Sequence, residues 1–452
     1  MPATKRSSHE VSHRPLSRVA NGATDCDRCG SWSGSTRRQF LQTGAALATA
    51  LTVERFAHAA GSDLLKVGLI GCGGRGTGAA SQALRADKNV QLFAMGDVFE
   101  DRLQQSLARL QKDEEIASKI KVPKERQFVG WDAYQKVIAC CDVVLLCTPP
   151  HFRPMHARAA IEAGRHVFAE KPIAVDAPGV RSFLQTAELA RQKRLSLVAG
   201  LQLRYSYPHQ EAVRRIRDGQ IGDVVALQAN DFRGPIWVHP RQPGWSDMYW
   251  QMRNWYYFVW LSGDFNVEQH VHMLDLASWV KGEYPVRAIG SGGRIVRTGP
   301  EYGNIYDHFA IIYEYADGSR LFAQCRQMAG CANDVAVYVT GTRGRGELRA
   351  ERVSLHFGNE AWRYGGKANV AVQTEHDELF ASIRKGEPIN NGDYVAKSTL
   401  LAIMGRMAAY TGQVITWDMA FNSKEDLSPP RYDWDVPLPV APVAQPGRTK
   451  FV

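Results

Sequence analysis

The chain has 452 residues, enough for two or three domains, and its apolar fraction of 44% and charged fraction of 22% are those of an ordinary globular protein. The formal net charge is +9, and the first 60 residues carry eight Lys/Arg against four Asp/Glu. No Lys/Arg run or arginine–aromatic interleaving follows, so a nucleic-acid partner is excluded.

Residues 1–34 are polar and rich in Ser, Arg and Gly, and they read as disordered. Cys26 and Cys29 form a CxxC there, but a zinc site needs two more ligands and none lies nearby, so no metal is expected. Ser35-Thr36-Arg37-Arg38-Gln39-Phe40-Leu41 then precedes a modest apolar run over 43–53. Paired arginines before such a run match a twin-arginine signal, and Ala57-His58-Ala59 offers small residues for cleavage. A disordered tail before a short helix is the alternative. Residues 1–60 are therefore set apart as signal and extension, and the mature chain is expected in the periplasm or otherwise exported. No stretch reaches about 18 apolar residues, so no membrane span is expected.

Residues 65–70 are short, apolar and β-branched, as in a buried parallel strand. They run into Gly71-Cys72-Gly73-Gly74-Arg75-Gly76, and a helix is predicted over 77–87. A G-x-G-x-x-G between strand and helix is the dinucleotide fingerprint of a Rossmann domain. Gly71 permits the tight turn, Gly73 admits the pyrophosphate, and Gly76 lets helix and strand pack closely. The helix N-terminus offers free N–H groups to the phosphates. A second strand over 90–95 leads to Asp97, about twenty residues past the last glycine, where a carboxylate binds the adenosine ribose. Its charge repels a 2′-phosphate and favours NAD(H) over NADP(H). The alternative is that Asp97 only caps the next helix, predicted over 100–111. A further strand over 141–147 ends at Thr148-Pro149-Pro150-His151, expected to wall the nicotinamide side. A helix over 155–163 and a strand over 166–169 lead to Glu170-Lys171-Pro172.

These features resemble the glucose–fructose oxidoreductase / inositol dehydrogenase / rhizopine catabolism (Gfo/Idh/MocA) family. The matching elements are the GxGxxG, Asp97, the TPP-H turn, the strand into AEKP, and Gly263 through Asp275, over a span from about 65 to 417. The resemblance implies an α/β fold: a Rossmann domain over 61–200, then an α+β substrate and dimerisation domain over 201–452. Strands predicted at 224–229, 288–291, 308–315, 320–326 and 335–340 have period-two stretches, which suggest an open, largely antiparallel sheet. In the family that sheet carries the substrate pocket on one face and a subunit contact on the other, so a homo-oligomer, dimer or tetramer, is expected. Helices are predicted over 209–218, 378–385 and 394–411.

The resemblance also implies an Asp-x-x-x-His pointing at the nicotinamide. Here Glu268 stands where Asp is usual, and His270 where Gly is usual. On a helix starting near 267, Glu268 and His272 are four apart and share a face. Removing a hydride from a carbinol carbon requires a base for the hydroxyl proton, and histidine titrates near neutral pH. The assignment is His272 as base, Lys171 as electrostatic partner and Glu268 as orienter. The cofactor set is Gly71, Cys72, Gly73, Gly74, Arg75, Gly76, Asp97, Thr148, Pro149, His151, Glu170 and Lys171.

An aromatic stretch between Trp237 and Trp260 is either a carbohydrate cleft or core and dimer packing. Arg204 either contacts ligand or ties the domains. Arg204, Arg253, Trp255, His270 and Asp275 form the candidate substrate set. The expected activity is an NAD(H)-dependent oxidoreductase acting on a carbinol or carbonyl of a sugar, cyclitol or related polyol, exported with its cofactor tightly bound. Two alternatives stand beside it: a glycosidase using bound NAD in transient oxidation and elimination, and a non-catalytic sugar-binding protein that retains the dinucleotide.

Overall fold

The computed structural model describes residues 63–452, so the paired arginines, Cys26, Cys29 and the apolar run at 43–53 lie outside the described residues. The described chain begins on β1 (Leu65–Ile70), whose last four residues are buried. Strand and helix then alternate through α1 (Gly74–Ala86), β2 (Val90–Asp97), α2 (Glu100–Gln111), β3 (Gln127–Val129), α3 (Ala133–Cys140), β4 (Val143–Leu146), α4 (Arg153–Glu162), β5 (His166–Ala169), α5 (Ala177–Gln192) and β6 (Leu197–Ala199). The six strands form one parallel sheet in the order β3-β2-β1-β4-β5-β6. The order reverses between β1 and β4, which opens a crevice at the carboxyl ends of the strands.

The chain crosses through α6 (Tyr207–Arg217) into β7 (Val224–Arg233). The aromatic stretch then forms α7 (Asp247–Arg253) and enters α8 (Val259–Ser262), and α9 (Phe265–Glu268) and α10 (Val271–Lys281) follow. Seven strands follow: β8 (Arg287–Gly293), β9 (His308–Glu314), β10 (Arg320–Gln327), β11 (Asp334–Gly341), β12 (Gly344–Arg349), β13 (Arg352–Phe357) and β14 (Glu360–Arg363). They join β7 and the short β15 (Ile415–Thr416) in an open sheet ordered β14-β13-β12-β11-β7-β10-β9-β8-β15. Every pairing in it is antiparallel except β7 with β10. Among the described residues no helix is long and apolar enough to cross a membrane.

Two helices close the molecule. α12 (Gly392–Thr411) is buried on nearly all sides, against α5, α10 and β8. Gly405 is required there, because a Cβ would stand 2.1 Å from the Tyr313 hydroxyl. α11 (Ala371–Lys385) begins earlier than its predicted start at 378 and returns to the first sheet. It packs on α1 and sets Leu379 and Phe380 into the same core as Val67, Leu69 and Leu92. The following residues extend that sheet: Leu197 N–H donates to the Ile389 carbonyl at 2.8 Å, and Asn391 N–H to that of Leu197 at 2.8 Å. After α13 (Trp417–Asn422) the remaining chain carries no regular element and runs back over both domains.

The single helix predicted from about 267 is broken in two. His270 N–H bonds to the Phe265 carbonyl, five residues back, at 3.0 Å. That wide turn ends α9 at Glu268 and restarts the helix at Val271.

Several buried residues of α11 are polar, among them His376. His376 is fully buried against Phe168, ring centroids 4.1 Å apart, and neither ring nitrogen has a hydrogen-bond partner. Burial pushes its pKa down to about 3, so the folded chain holds it neutral while the unfolded chain titrates near 6.5. Below about 6.5 the unfolded state binds the extra proton, so this residue costs stability as pH falls toward 3. His376→Leu removes that cost. In urea unfolding followed at several pH values, the stability gap between variant and parent should widen by about 1.4 kcal/mol per pH unit below 6.5. A constant gap between pH 7 and pH 4.5 contradicts this account.

Candidate active site

Sequence dictates the glycine turn locally. Gly71 has φ +93°, and a Cβ there would stand 2.6 Å from the Cys147 carbonyl carbon. A Cβ on Gly76 would lie 1.9 Å from the Gly71 oxygen. By contrast, a Cβ on Gly74 would meet nothing within 4 Å, and one on Gly73 only the Arg102 guanidinium at 3.6 Å. Two glycines are thus fixed by backbone packing, and two leave open space in front of α1 for a phosphate group.

That space belongs to a cleft of about 920 Å³ between the domains, lined by Gly71, Gly73, Gly74, Arg75, Gly76 and Asp97 on one side. Asp97 accepts the Cys72 N–H at 2.6 Å and the Phe99 N–H at 2.9 Å, so it braces the turn and starts the next loop while still lining the cleft. Burial raises its pKa, and the two N–H groups pull the other way. Thr148, Pro149, Glu170 and Lys171 line the cleft farther along. The Thr148 hydroxyl is buried with no partner among the described residues.

Lys171 follows β5 and reaches across to α9. Its ammonium donates to the Glu268 main-chain oxygen at 2.6 Å and to the Glu268 carboxylate at 3.1 Å. The broken helix makes this possible. In an unbroken helix the Glu268 carbonyl would accept the His272 N–H, but His272 N–H bonds to the Gln269 carbonyl instead. The freed oxygen binds the lysine. His272 also lines the cleft; its Nδ1 is buried with no partner among the described residues. Burial holds its pKa well below the ordinary value, and the positive charges of Lys171 and Arg233 add to the effect, so the imidazole is neutral at pH 7.

Several expected site residues stand elsewhere. His270 is fully buried and bonds Asn266 Oδ1 at 3.1 Å and the Ala229 carbonyl at 3.3 Å, so it braces the helix break and meets no ligand. Arg204 and Asp275 are spent on each other. The guanidinium donates to both carboxylate oxygens at 2.8–3.2 Å, Ser398 adds a bond at 2.6 Å, and the guanidinium lies 4.1 Å from the Tyr394 ring centroid. This pair ties the crossover to α10 outside the cleft. Arg253 is held bidentately by Asp101 at 2.7 and 2.8 Å over the Phe99 ring, so it clamps the two domains, and it lines a smaller hollow beside Gly73 and Gly74 rather than the main cleft. His151 points behind the cleft wall, with Nε2 at 2.8 Å from the Tyr432 hydroxyl. The Cys72 thiol turns inward to the Gly96 carbonyl at 3.5 Å. Of the proposed substrate set only Trp255 lines the cleft.

The structure adds further residues, of which only Trp237 and His239 lie in the aromatic stretch noted above. Trp237, His239 and Gln202 line the cleft, as does Tyr432 from the C-terminal segment. Glu375 reaches it from α11. It is buried, one carboxyl oxygen is without a partner, and the other stands 3.9 Å from Arg75. Burial, with Glu170 beside it, holds the Glu375 carboxyl well above the usual carboxylate range. Arg75 is also hydrogen-bonded to Glu170. Open glycines, a braced Asp97 and unpartnered polar atoms at Thr148, Glu375 and His272 together suit a long polar ligand such as a dinucleotide.

A cleft of this make at a Rossmann switch point defines a nicotinamide-dependent oxidoreductase. Residues 65–199 match the family model described as "Oxidoreductase family, NAD-binding Rossmann fold", and residues 209–347 match the GFO/IDH/MocA C-terminal domain. The chain belongs to the Gfo/Idh/MocA oxidoreductase family. It is 31% identical over 296 residues to an inositol 2-dehydrogenase of Cereibacter sphaeroides, covering 63% of this chain and 73% of that one. An inositol 2-dehydrogenase of Rhizobium meliloti is 25% identical over 260 residues, 55% and 72% of the two chains. The fold is shared with the aldose–aldose oxidoreductase of Caulobacter crescentus, with a TM-score of 0.62 at 19% identity over 78% of this chain and 99% of that one.

The Arg204–Asp275 pair yields a test of its structural role. Asp275→Ala leaves a buried guanidinium unpaired, which should cost about 3 kcal/mol of stability. Urea unfolding of the nucleotide-free chain reads this directly, while titration with NAD should show binding retained. A stable variant that has lost substrate affinity would return Asp275 to the binding site.

Proposed function

We propose that the chain transfers a hydride between NAD(H) and a carbinol or carbonyl carbon of a sugar, cyclitol or related polyol. The observation that carries this is a neutral imidazole, His272, in the same cleft as the Lys171–Glu268 pair. Bound nicotinamide supplies the hydride carrier. His272 accepts the proton of the reacting hydroxyl at its imidazole nitrogen. Lys171 stabilises the developing alkoxide oxygen. Glu268 holds the ammonium in place with two acceptors. Trp237 and Trp255 offer flat apolar faces to a ring whose hydroxyls alternate with C–H groups.

The Asp97 carboxylate in the cleft supports NAD(H) over NADP(H), since a second negative group would repel it. Relatives named inositol 2-dehydrogenase support a cyclitol or sugar as substrate. Ile289, Ile312 and Phe322 are exposed neighbours across three strands of the second sheet, which supports a homo-oligomer through that face. The Arg37-Arg38 signal supports work outside the cytoplasm after export with the cofactor bound.

The function is tested with the purified full chain on a panel of cyclitols, aldoses and glycosides, following both released sugar and absorbance near 340 nm. Net change in nicotinamide absorbance with a free polyol is the expected result. Released sugar without net redox would instead mark a transient-oxidation glycosidase. On a confirmed substrate, His272→Ala should lower kcat about a hundred-fold or more with NAD still bound. Near-normal turnover of that variant removes the base assignment. Export is tested separately: Arg37→Lys with Arg38→Lys should retain the protein in the cytoplasm, because the pathway reads the guanidinium pair and not charge alone. Normal export of the double variant rejects the signal.

A further inference from the structure

The C-terminal segment after α13 lies beyond both family-matched stretches, yet it reaches the cleft. Trp434 packs against Phe99 and Trp131, with centroids 5.4 and 4.6 Å away. Phe99 follows Asp97 at the carboxyl end of β2, and Trp131 stands in the loop after β3. These two loops edge the adenosine half of a dinucleotide crevice, since the ribose carboxylate lies between them. Tyr432 lines the cleft itself, packed on Trp131 at 5.9 Å and Phe152 at 5.6 Å, with its hydroxyl on His151 Nε2 at 2.8 Å.

The same segment is pinned to the second domain. Gln251 donates to the Leu438 carbonyl at 2.6 Å, and Leu438 N–H donates to Asp247 at 3.3 Å. Trp434 also packs on Tyr249 of α7 at 5.4 Å, and Val436 is buried in the cluster they form. One short stretch of chain therefore bridges the second domain and the loops after β2, β3 and β4.

We propose that Tyr432 and Trp434 are cofactor-positioning residues: Tyr432 walls the adenosine half of the dinucleotide pocket, and Trp434 keeps the loops at its mouth closed. A dinucleotide then departs only after the aromatic contacts of this segment have parted. This rests on the reading of the cleft as a dinucleotide site. It deepens that reading by assigning retention to residues outside the Rossmann domain.

The test uses the full chain loaded with NAD, and dissociation is read by exchange against isotopically labelled NAD. Tyr432→Ala and Trp434→Ala should each raise the dissociation rate ten-fold or more, and raise KM for NAD far more than they change kcat. Tyr432→Phe keeps the ring and should fall between parent and Ala variant. Trp434→Phe does the same where the alanine variant does not fold. Unchanged residence in the folded variants, or a fall in kcat with KM for NAD unmoved, overturns the inference while leaving the dinucleotide reading intact. A parent chain that binds neither NAD nor NADH overturns both.

Discussion

The geometry of the cleft around Lys171 depends on one contact between two domains. Lys171, at the end of a Rossmann strand, is bound by the main-chain and carboxylate oxygens of Glu268, 97 residues on. An ammonium removed from water is costly unless its donors are met, and two acceptors from one residue meet that need at a fixed place. The main-chain acceptor exists only because the helix breaks after Glu268. His270 enforces the break by turning its ring into the core toward Asn266 and Ala229. A buried histidine outside the cleft thus helps place the cation that lines it.

The glycine turn, Asp97 and the strand ending in Glu170-Lys171 were legible because their constraints are local. The turn requires glycines at fixed offsets, and alternating apolar runs describe a parallel sheet. The second sheet was readable as open and mostly antiparallel from its period-two strands, although the parallel β7–β10 pairing joins segments that no local pattern relates. The expected site residues that do not line the main cleft share a different character. Arg204, Asp275, Arg253 and His151 are residue types found in active sites, and each is consumed by a partner brought near by tertiary packing. Glu375 and Tyr432 failed in the opposite direction. They sit in segments without motif, and only the return of the chain over the first domain brings them to the cleft.

The charges around the glycine turn show the same economy. Arg75 sits between Glu170 and Glu375, and the closer carboxylate takes the guanidinium. Burial, with Glu170 nearby, holds the more buried acid, Glu375, well above the usual carboxylate range. The turn therefore presents a compensated cation to the cleft, with an uncommitted carboxyl group beside it.

The return of α11 to the first sheet bears on how the chain is made. A Rossmann domain read along the sequence looks complete by Ala199, yet Leu379 and Phe380 fill its core and Asn391 bonds its last strand. A nascent chain emerging from the ribosome has its six strands long before it has those residues. Until then the faces of α1 and β6 that α11 and Asn391 cover lack those partners. The core of the first domain is thus complete only once the residues of α11 and Asn391 have been made.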